Sequence, residues 1–174
     1  QRPVENLTWF EAIMFCNWLS SKYGLKPSYS ITKLTNPSRK HQYSASLISK
    51  EGIRLPSSPQ WEYACRAGTS TTYSFGDDAN FIDEYAWHSD NSTKQTHTIR
   101  RKRCNAWGLF DMHGNTDEYT SSFTSTNNAI FFRGGNWNSY PSDCSSNKTG
   151  IAPPNLRRDI GLRVIYTGSE VEGN

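Results

Sequence analysis

Asn105-Ala-Trp-Gly-Leu-Phe-Asp-Met-His-Gly-Asn-Thr-Asp-Glu-Tyr119 is the stretch whose reading decides the fold. It carries turn signals at Gly108 and His113-Gly114-Asn115, and no apolar spacing of three to four residues that would make it a helix. His113, set among these turns, reads as a structural hydrogen-bonding residue. The neighbouring sequence is similar: beyond Gly68 no helical period is visible for about 100 residues, and further turns are marked at Gly76-Asp77-Asp78, Ser89-Asp90-Asn91 and Gly134-Gly135. Loops and short strands are expected throughout.

Upstream, helices are legible. Thr8 and Glu11 form a capping box that opens a helix through Trp9, Phe10, Ile13, Met14, Cys16 and Leu19, ending near Tyr23-Gly24. The apolar spacing assigns Trp9, Ile13, Cys16 and the Trp18-Leu19 pair to the core. Tyr29-Ser-Ile-Thr and Tyr43 to Ile48 flank a polar Asn36–His41 turn and predict a hairpin. A second helix starts at Ser57, with Pro59 in its first turn and Gln60 completing the box. Trp61, Ala64 and Cys65 face inward and Gly68 stops it.

The 174 residues suit one domain, with only 34% hydrophobic residues but six Trp, nine Tyr and eight Phe to build a core. The aromatic content and the net charge of +3 exclude a disordered chain. Mean hydropathy of −0.75, with no apolar run near 18 residues, gives no membrane-spanning helix. A pI near 8.7 with a single basic run, Arg100 to Arg103, does not predict nucleic-acid binding; a solvated loop accounts for it. Cys16, Cys65, Cys104 and Cys144 have no CxxC spacing, and the four histidines have no HExxH or facial-triad spacing, so zinc and iron sites are not expected. The chain opens at Gln1 with neither Met nor an apolar signal segment, and is expected to be a fragment whose export or lipid signal lies outside it.

Four ordered stretches carry a resemblance: Gly52 to Gly68, Asn105 to Tyr119, Phe132-Arg-Gly-Gly-Asn-Trp137 and Ile160-Gly-Leu-Arg-Val164. Together they resemble the formylglycine-generating-enzyme family, whose sulfatase-modifying-factor domain is a variant of the C-type lectin fold. The resemblance covers nearly all of residues 3 to 166. It implies an α+β domain of two short helices, short antiparallel strands and much loop over residues 1–168, with a variable segment at 138–159 and a tail at 169–174. The family's usual N-terminal strands have no counterpart here. In members that oxidise sulfatase cysteines, two thiols after Arg-Gly-Gly bind copper. The matching positions are Ser139 and Cys144, so one thiol is missing. A formylglycine-type oxidase using Cys144 alone stays as the alternative, although no His lies in that segment to act as its base. Partner cysteines for positions 16 and 65 are also absent, which leaves Cys16 and Cys65 as buried thiols. Asp111, Gly114, Thr116 and Glu118 match positions at which relatives hold Ca²⁺ through oxygen donors. Asp-Glu-Tyr replaces the family's usual Trp-Glu-Trp there, and anchoring of turns by hydrogen bonds is the alternative. No other cofactor is expected.

The segment Asn138 to Asp159 shows neither helical nor strand periodicity and is bracketed by motifs, the usual situation of a binding loop on a scaffold. Its layout resembles the variable region of diversity-generating retroelement proteins, in which adenines of template Asn codons are randomised. Such codons cannot become Glu, Gln, Met, Trp or Lys. Residues 139–159 hold none of the first four, which make up 20 of the 174 residues; Lys148 is the exception and would be a constant position. The resemblance implies recognition by Asn138, Ser139, Tyr140, Ser142, Asp143, Gly150, Ile151, Leu156, Arg158 and Asp159, with Trp137 at the base. Tyr140 would be the best anchor, being large, rigid and hydroxylated. A polar loop without a ligand is the plain alternative. The expected function is non-catalytic binding of a protein or other surface ligand, by a monomer exported to the cell surface on a lipid anchor.

Overall fold

The computed structural model describes residues 1–34, 42–124 and 129–168. The Asn36–His41 turn and the 169–174 tail therefore lie outside the described residues.

Helix α1 (Trp9–Lys22) has the capping box of Thr8 and Glu11, and α2 (Ser58–Arg66) that of Ser57 and Gln60. In each, the side chains satisfy amide groups that a helix start leaves unpaired. Strands β1 (Tyr29–Leu34) and β2 (Gln42–Leu47) pair antiparallel as the hairpin predicted. Strand β3 (Ile53–Arg54) leads to α2, and a single turn, α3 (Ile82–Tyr85), leads to β4 (Ala86–Trp87). Next come β5 (His113–Gly114), β6 (Asp117–Phe123), β7 (Ile130–Arg133), β8 (Thr149–Ala152), β9 (Ile160–Leu162) and β10 (Ile165–Tyr166). The main sheet is four-stranded in the order β8-β7-β6-β9, and within it β6/β9 is the parallel pairing. The α+β class with much loop stands as expected.

Trp9, Ile13 and Cys16 are buried on one stripe of α1, against Tyr29, Leu55, Tyr119 and Ile130. Trp18 departs from expectation. It is 56% exposed, because nine residues beyond Trp9 an α-helix has turned about 180°. There its ring lies 5.6 Å from that of Phe15, with the Lys22 ammonium 5.3 Å from it. Trp107, 47% exposed, likewise rests on the outer face of α2 against Tyr63. The aromatic scaffold is thus narrower than the sequence suggested.

The segment after Arg133 is also more regular than predicted. Pro141–Cys144 form a 3-10 turn and Thr149–Ala152 an edge strand, with Gly150 opposite Phe132 and Ile151 opposite Phe131. β8 and β9 lie at opposite edges of the sheet, so residues 153–159 must return across its end. That return is pinned to the N-terminal segment: Trp9 N donates to Pro154 O at 3.1 Å, Arg158 pairs with Leu7, and Arg157 forms an ion pair with Glu11. Among the described residues no helix is long and apolar enough to cross a membrane.

Candidate ligand-binding site

The site is built on the Arg133-Gly134-Gly135 turn at the end of β7. Both glycines have positive φ, +103° and +74°, which L side chains rarely adopt. At Gly135 an added Cβ would also lie 2.7 Å from Cys144 Sγ. The chain then runs outward, but its backbone is tied to the scaffold at intervals. Gly114 N donates to Gly134 O (2.7 Å), Trp137 N to Asn115 O (3.1 Å), Ser89 N to Ser139 O (2.9 Å) and Ser146 N to Thr72 O (2.9 Å). Ser92 Oγ donates to Trp137 O at 2.6 Å, and the Arg133 guanidinium reaches Ser146 O at 3.1 Å.

His113 provides the deepest tether. Ser74 N donates to its Nε2 (3.2 Å), which fixes that nitrogen as an acceptor and leaves Nδ1–H to donate to Cys144 O (2.7 Å). Burial pushes its pKa down to about 4, so the ring is neutral at physiological pH. The structural role expected for His113 is what the structure gives it.

The residues singled out by sequence fall into three groups. Tyr140, 71% exposed, stands at the start of the 3-10 turn beside exposed Ser142, and Ile151 is exposed on the edge strand. Leu156, Arg158 and Asp159 are exposed on the return toward β9, forming a second patch. Trp137 and Ser139 are half-buried and tethered as described. Asn136 N donates to Ser139 Oγ at 2.9 Å, and Asn138 N to Asn136 Oδ1 at 2.8 Å, so Asn136 to Ser139 form a self-bonded turn at the base. Asp143 is half-buried and paired with Lys148 at 2.6 Å. Gly150 is not a free position, because a Cβ there would fall 2.0 Å from the Phe132 ring.

Cys144 is fully buried, and its thiol is held far above the usual range by burial, reinforced by Asp117 and Asp143. The reactive thiolate is thereby suppressed. His113 lies close, but both ring nitrogens are engaged and Nδ1–H faces the Cys144 carbonyl, so the ring does not serve as a base for the thiol. Cys16 and Cys65 are free and buried, each pushed up to about 12 by burial.

At the positions matched to calcium ligands, the carboxylate of Glu118 is already engaged by the protein itself. Glu118 Oε2 accepts from Trp61 Nε1 (2.6 Å) and Arg163 Nε (2.9 Å), while Oε1 accepts from Arg163 Nη2 (2.8 Å). The same Nη2 reaches Phe110 O at 2.9 Å. Burial works against the charge on Arg163, but Glu118 and Asp111 more than offset it. Arg163 thus already supplies the cation, and Asp111 accepts from Arg100 N (2.8 Å). Among the described residues no three His, Cys, Asp or Glu side chains converge. Part of the basic run is engaged locally: Lys102 lies 4.0 Å from the centre of the Trp87 ring and Arg103 pairs with Glu84 at 2.9 Å.

Sequence reasoning missed the Ser89 and Ser92 tethers, legible there only as a turn, and Asp117, which nothing but its departure from the family pattern marked. Residues 1–167 match the sulfatase-modifying factor enzyme 1-like domain. The chaperone protein LppX of Paenibacillus barcinonensis is 30% identical over an alignment of 202 positions that covers 95% of this chain and 70% of its own. The formylglycine-generating enzyme of Mycobacterium tuberculosis is 35% identical over 82 residues, 41% of this chain and 27% of its own. Among solved structures, Treponema denticola variable protein 1 superposes with a TM-score of 0.82 at 28% identity, over 94% of this chain and 70% of its own.

Proposed function

The chain belongs to the sulfatase-modifying factor enzyme 1-like family, and from that premise we propose that it is a non-catalytic binding protein presenting exchangeable side chains on a fixed C-type-lectin-type scaffold. One observation carries this reading. Between Trp137 and Ser146 the backbone is fastened to scaffold residues, while the Tyr140 and Ser142 side chains project to solvent and the one cysteine is sealed beneath them. A held backbone with free side chains is what lets contacts be exchanged without refolding. The likeness to a variable protein supports the same reading, as does the word chaperone in the name of LppX for a protein ligand. Diversification by a retroelement and export to the cell surface on a lipid anchor belong to this proposal through the resemblance.

The test sets binding against oxidation. Purified protein is given copper(I) and a cysteine-containing peptide while oxygen is followed; no turnover is expected, and turnover abolished by Cys144→Ser would overturn the proposal. The diversification half predicts a near-copy of the DNA for residues 132–164 close to the gene, differing only at adenines. Ordinary scattered variation among sibling genes, with no such copy, would remove it. Cell fractionation is expected to recover the protein with the envelope, accessible to protease on intact cells; recovery in the cytosol would remove the export half.

A further inference from the structure

A cleft of about 300 Å³ opens between the Arg133-Gly134-Gly135 turn and β8. Its residues include Asp117, Phe132, Asn136, Asp143, Lys148 and Gly150. Asp117 is only 7% exposed, and its Oδ2 accepts from Asn136 Nδ2 at 2.6 Å.

Two cations lie beside the cleft and both are spent. Lys148 pairs with Asp143 at the rim, and Arg133 donates to Ser58 Oγ (2.8 Å) and Ser146 O (3.1 Å) and pairs with Glu62 (3.0 Å). Asp117 has no ion pair among the described residues. Burial pushes its pKa up to about 6; the bonds from Asn136 and from the Gly135 backbone N–H oppose the rise, and the neighbouring Glu118 and Asp143 reinforce it. Beside it, the Phe132 ring packs so closely over Gly150 that a Cβ at that position would meet three ring carbons at 2.0, 2.2 and 2.8 Å. The open cleft therefore depends on glycine at 150: a larger residue there drives the ring away from β8.

A desolvated carboxylate beside an aromatic face suits a partner's cation. The ion pair replaces the hydration that burial removed, and the ring takes the aliphatic stem and the ring-facing charge. We propose that this cleft is the subsite for a basic side chain of the protein ligand, with Asp117 pairing its cation, and that the residue at position 150 governs whether the subsite is open. The proposal rests on the binding function above and gives it a chemical class.

The test uses Nα-acetyl-lysine methylamide and its uncharged counterpart Nα-acetyl-norleucine methylamide, titrated into the protein while NMR follows the Asp117 carboxyl carbon and the Gly150 amide. The lysine probe should give saturable shifts at both positions and a falling Asp117 titration midpoint. The norleucine probe and the Asp117→Asn variant should bind about ten-fold more weakly or less, as expected for loss of a charged hydrogen bond. Gly150→Val should also weaken the lysine probe while leaving the fold intact by amide spectrum. Equal binding of the two probes, or undiminished lysine binding by Asp117→Asn, would overturn the subsite; undiminished binding by Gly150→Val would overturn the role of position 150. Cysteine oxidation by a protein that binds the lysine probe would defeat the non-catalytic reading alone. Indifference to the probe without turnover would defeat only the subsite.

Discussion

The stretch 105–119 and the segment 138–159 are both polar and largely irregular, yet the structure uses them in opposite ways. In the first, polar side chains turn inward and close on backbone. Asn105 Nδ2 donates to Ala64 O (2.7 Å), Asn115 Oδ1 accepts from His97 N (2.8 Å), and Glu118 joins Trp61 to Arg163. In the second, the backbone is what the scaffold grips, and Tyr140, Ser142, Leu156 and Asp159 face water. Rigidity in a loop-rich domain is thus decided by which atoms meet the scaffold. Side chains that do so become fixed in identity; side chains spared by a gripped backbone become replaceable.

The largest expected effect tests that contrast at its ends. Trp61→Ala should cost ~3–5 kcal/mol in chemical denaturation, the usual loss for a large buried aromatic, and it also removes one of the three hydrogen bonds to the Glu118 carboxylate. A comparable loss in Tyr140→Ala would break the comparison. Acidification acts on two buried groups, His113 and Asp117. The folded pKa of His113, about 4, is below its usual 6.5, so its contribution is full above about 6.5 and is lost as pH falls toward 4. Asp117, held at about 6 against a usual 3.8, works in the other direction: its contribution is present below about 3.8 and is lost as pH rises through 6. The two oppose each other between pH 4 and 6. Asp117→Asn should therefore make stability, measured by denaturant melts across that range, fall more steeply on acidification than in the wild type; an unchanged slope would remove Asp117 from this balance.

Gly135→Ala comes next, at ~1–3 kcal/mol for crowding a packed site, read as a fall in thermal midpoint. Ser92→Ala should cost ~0.5–1.5 kcal/mol for one hydrogen bond and speed hydrogen exchange at residues 137–139; unchanged exchange would mean that the tether does not hold the site. Smallest of all, Tyr140→Ala should stay within about 0.5 kcal/mol of wild type, as exposed substitutions usually do.

Much of the frame was legible because its cues are local. Thr8 with Glu11 and Ser57 with Gln60 lie three residues apart, and the structure has both boxes. The wider fold came through four ordered motifs rather than periodicity. Trp18 was misread because apolar spacing marks two neighbouring stripes of a helix while the core takes only one. In the segment after Arg133, a four-residue edge strand containing Gly150 has too few side chains to alternate, so β8 left no pattern. The Asp117 cleft needed the closeness of Phe132 to Gly150, a contact across strands 18 residues apart that no local pattern encodes.

The place of β9 beside β6 also bears on how the chain folds. β6 and β7 can pair early through a short connection, but β9 reaches the free side of β6 only after the whole 138–159 segment has been closed into a loop. The entropy of closing a loop grows only as the logarithm of its length, roughly 0.6 kcal/mol for each doubling. Modest insertion in the irregular parts of the segment therefore adds little to the barrier for completing the sheet. The segment is a spacer in folding as well as the proposed recognition surface, and it is its exposed positions, not Cys144, Gly150 or Ala152, whose identity bears little on the domain around them.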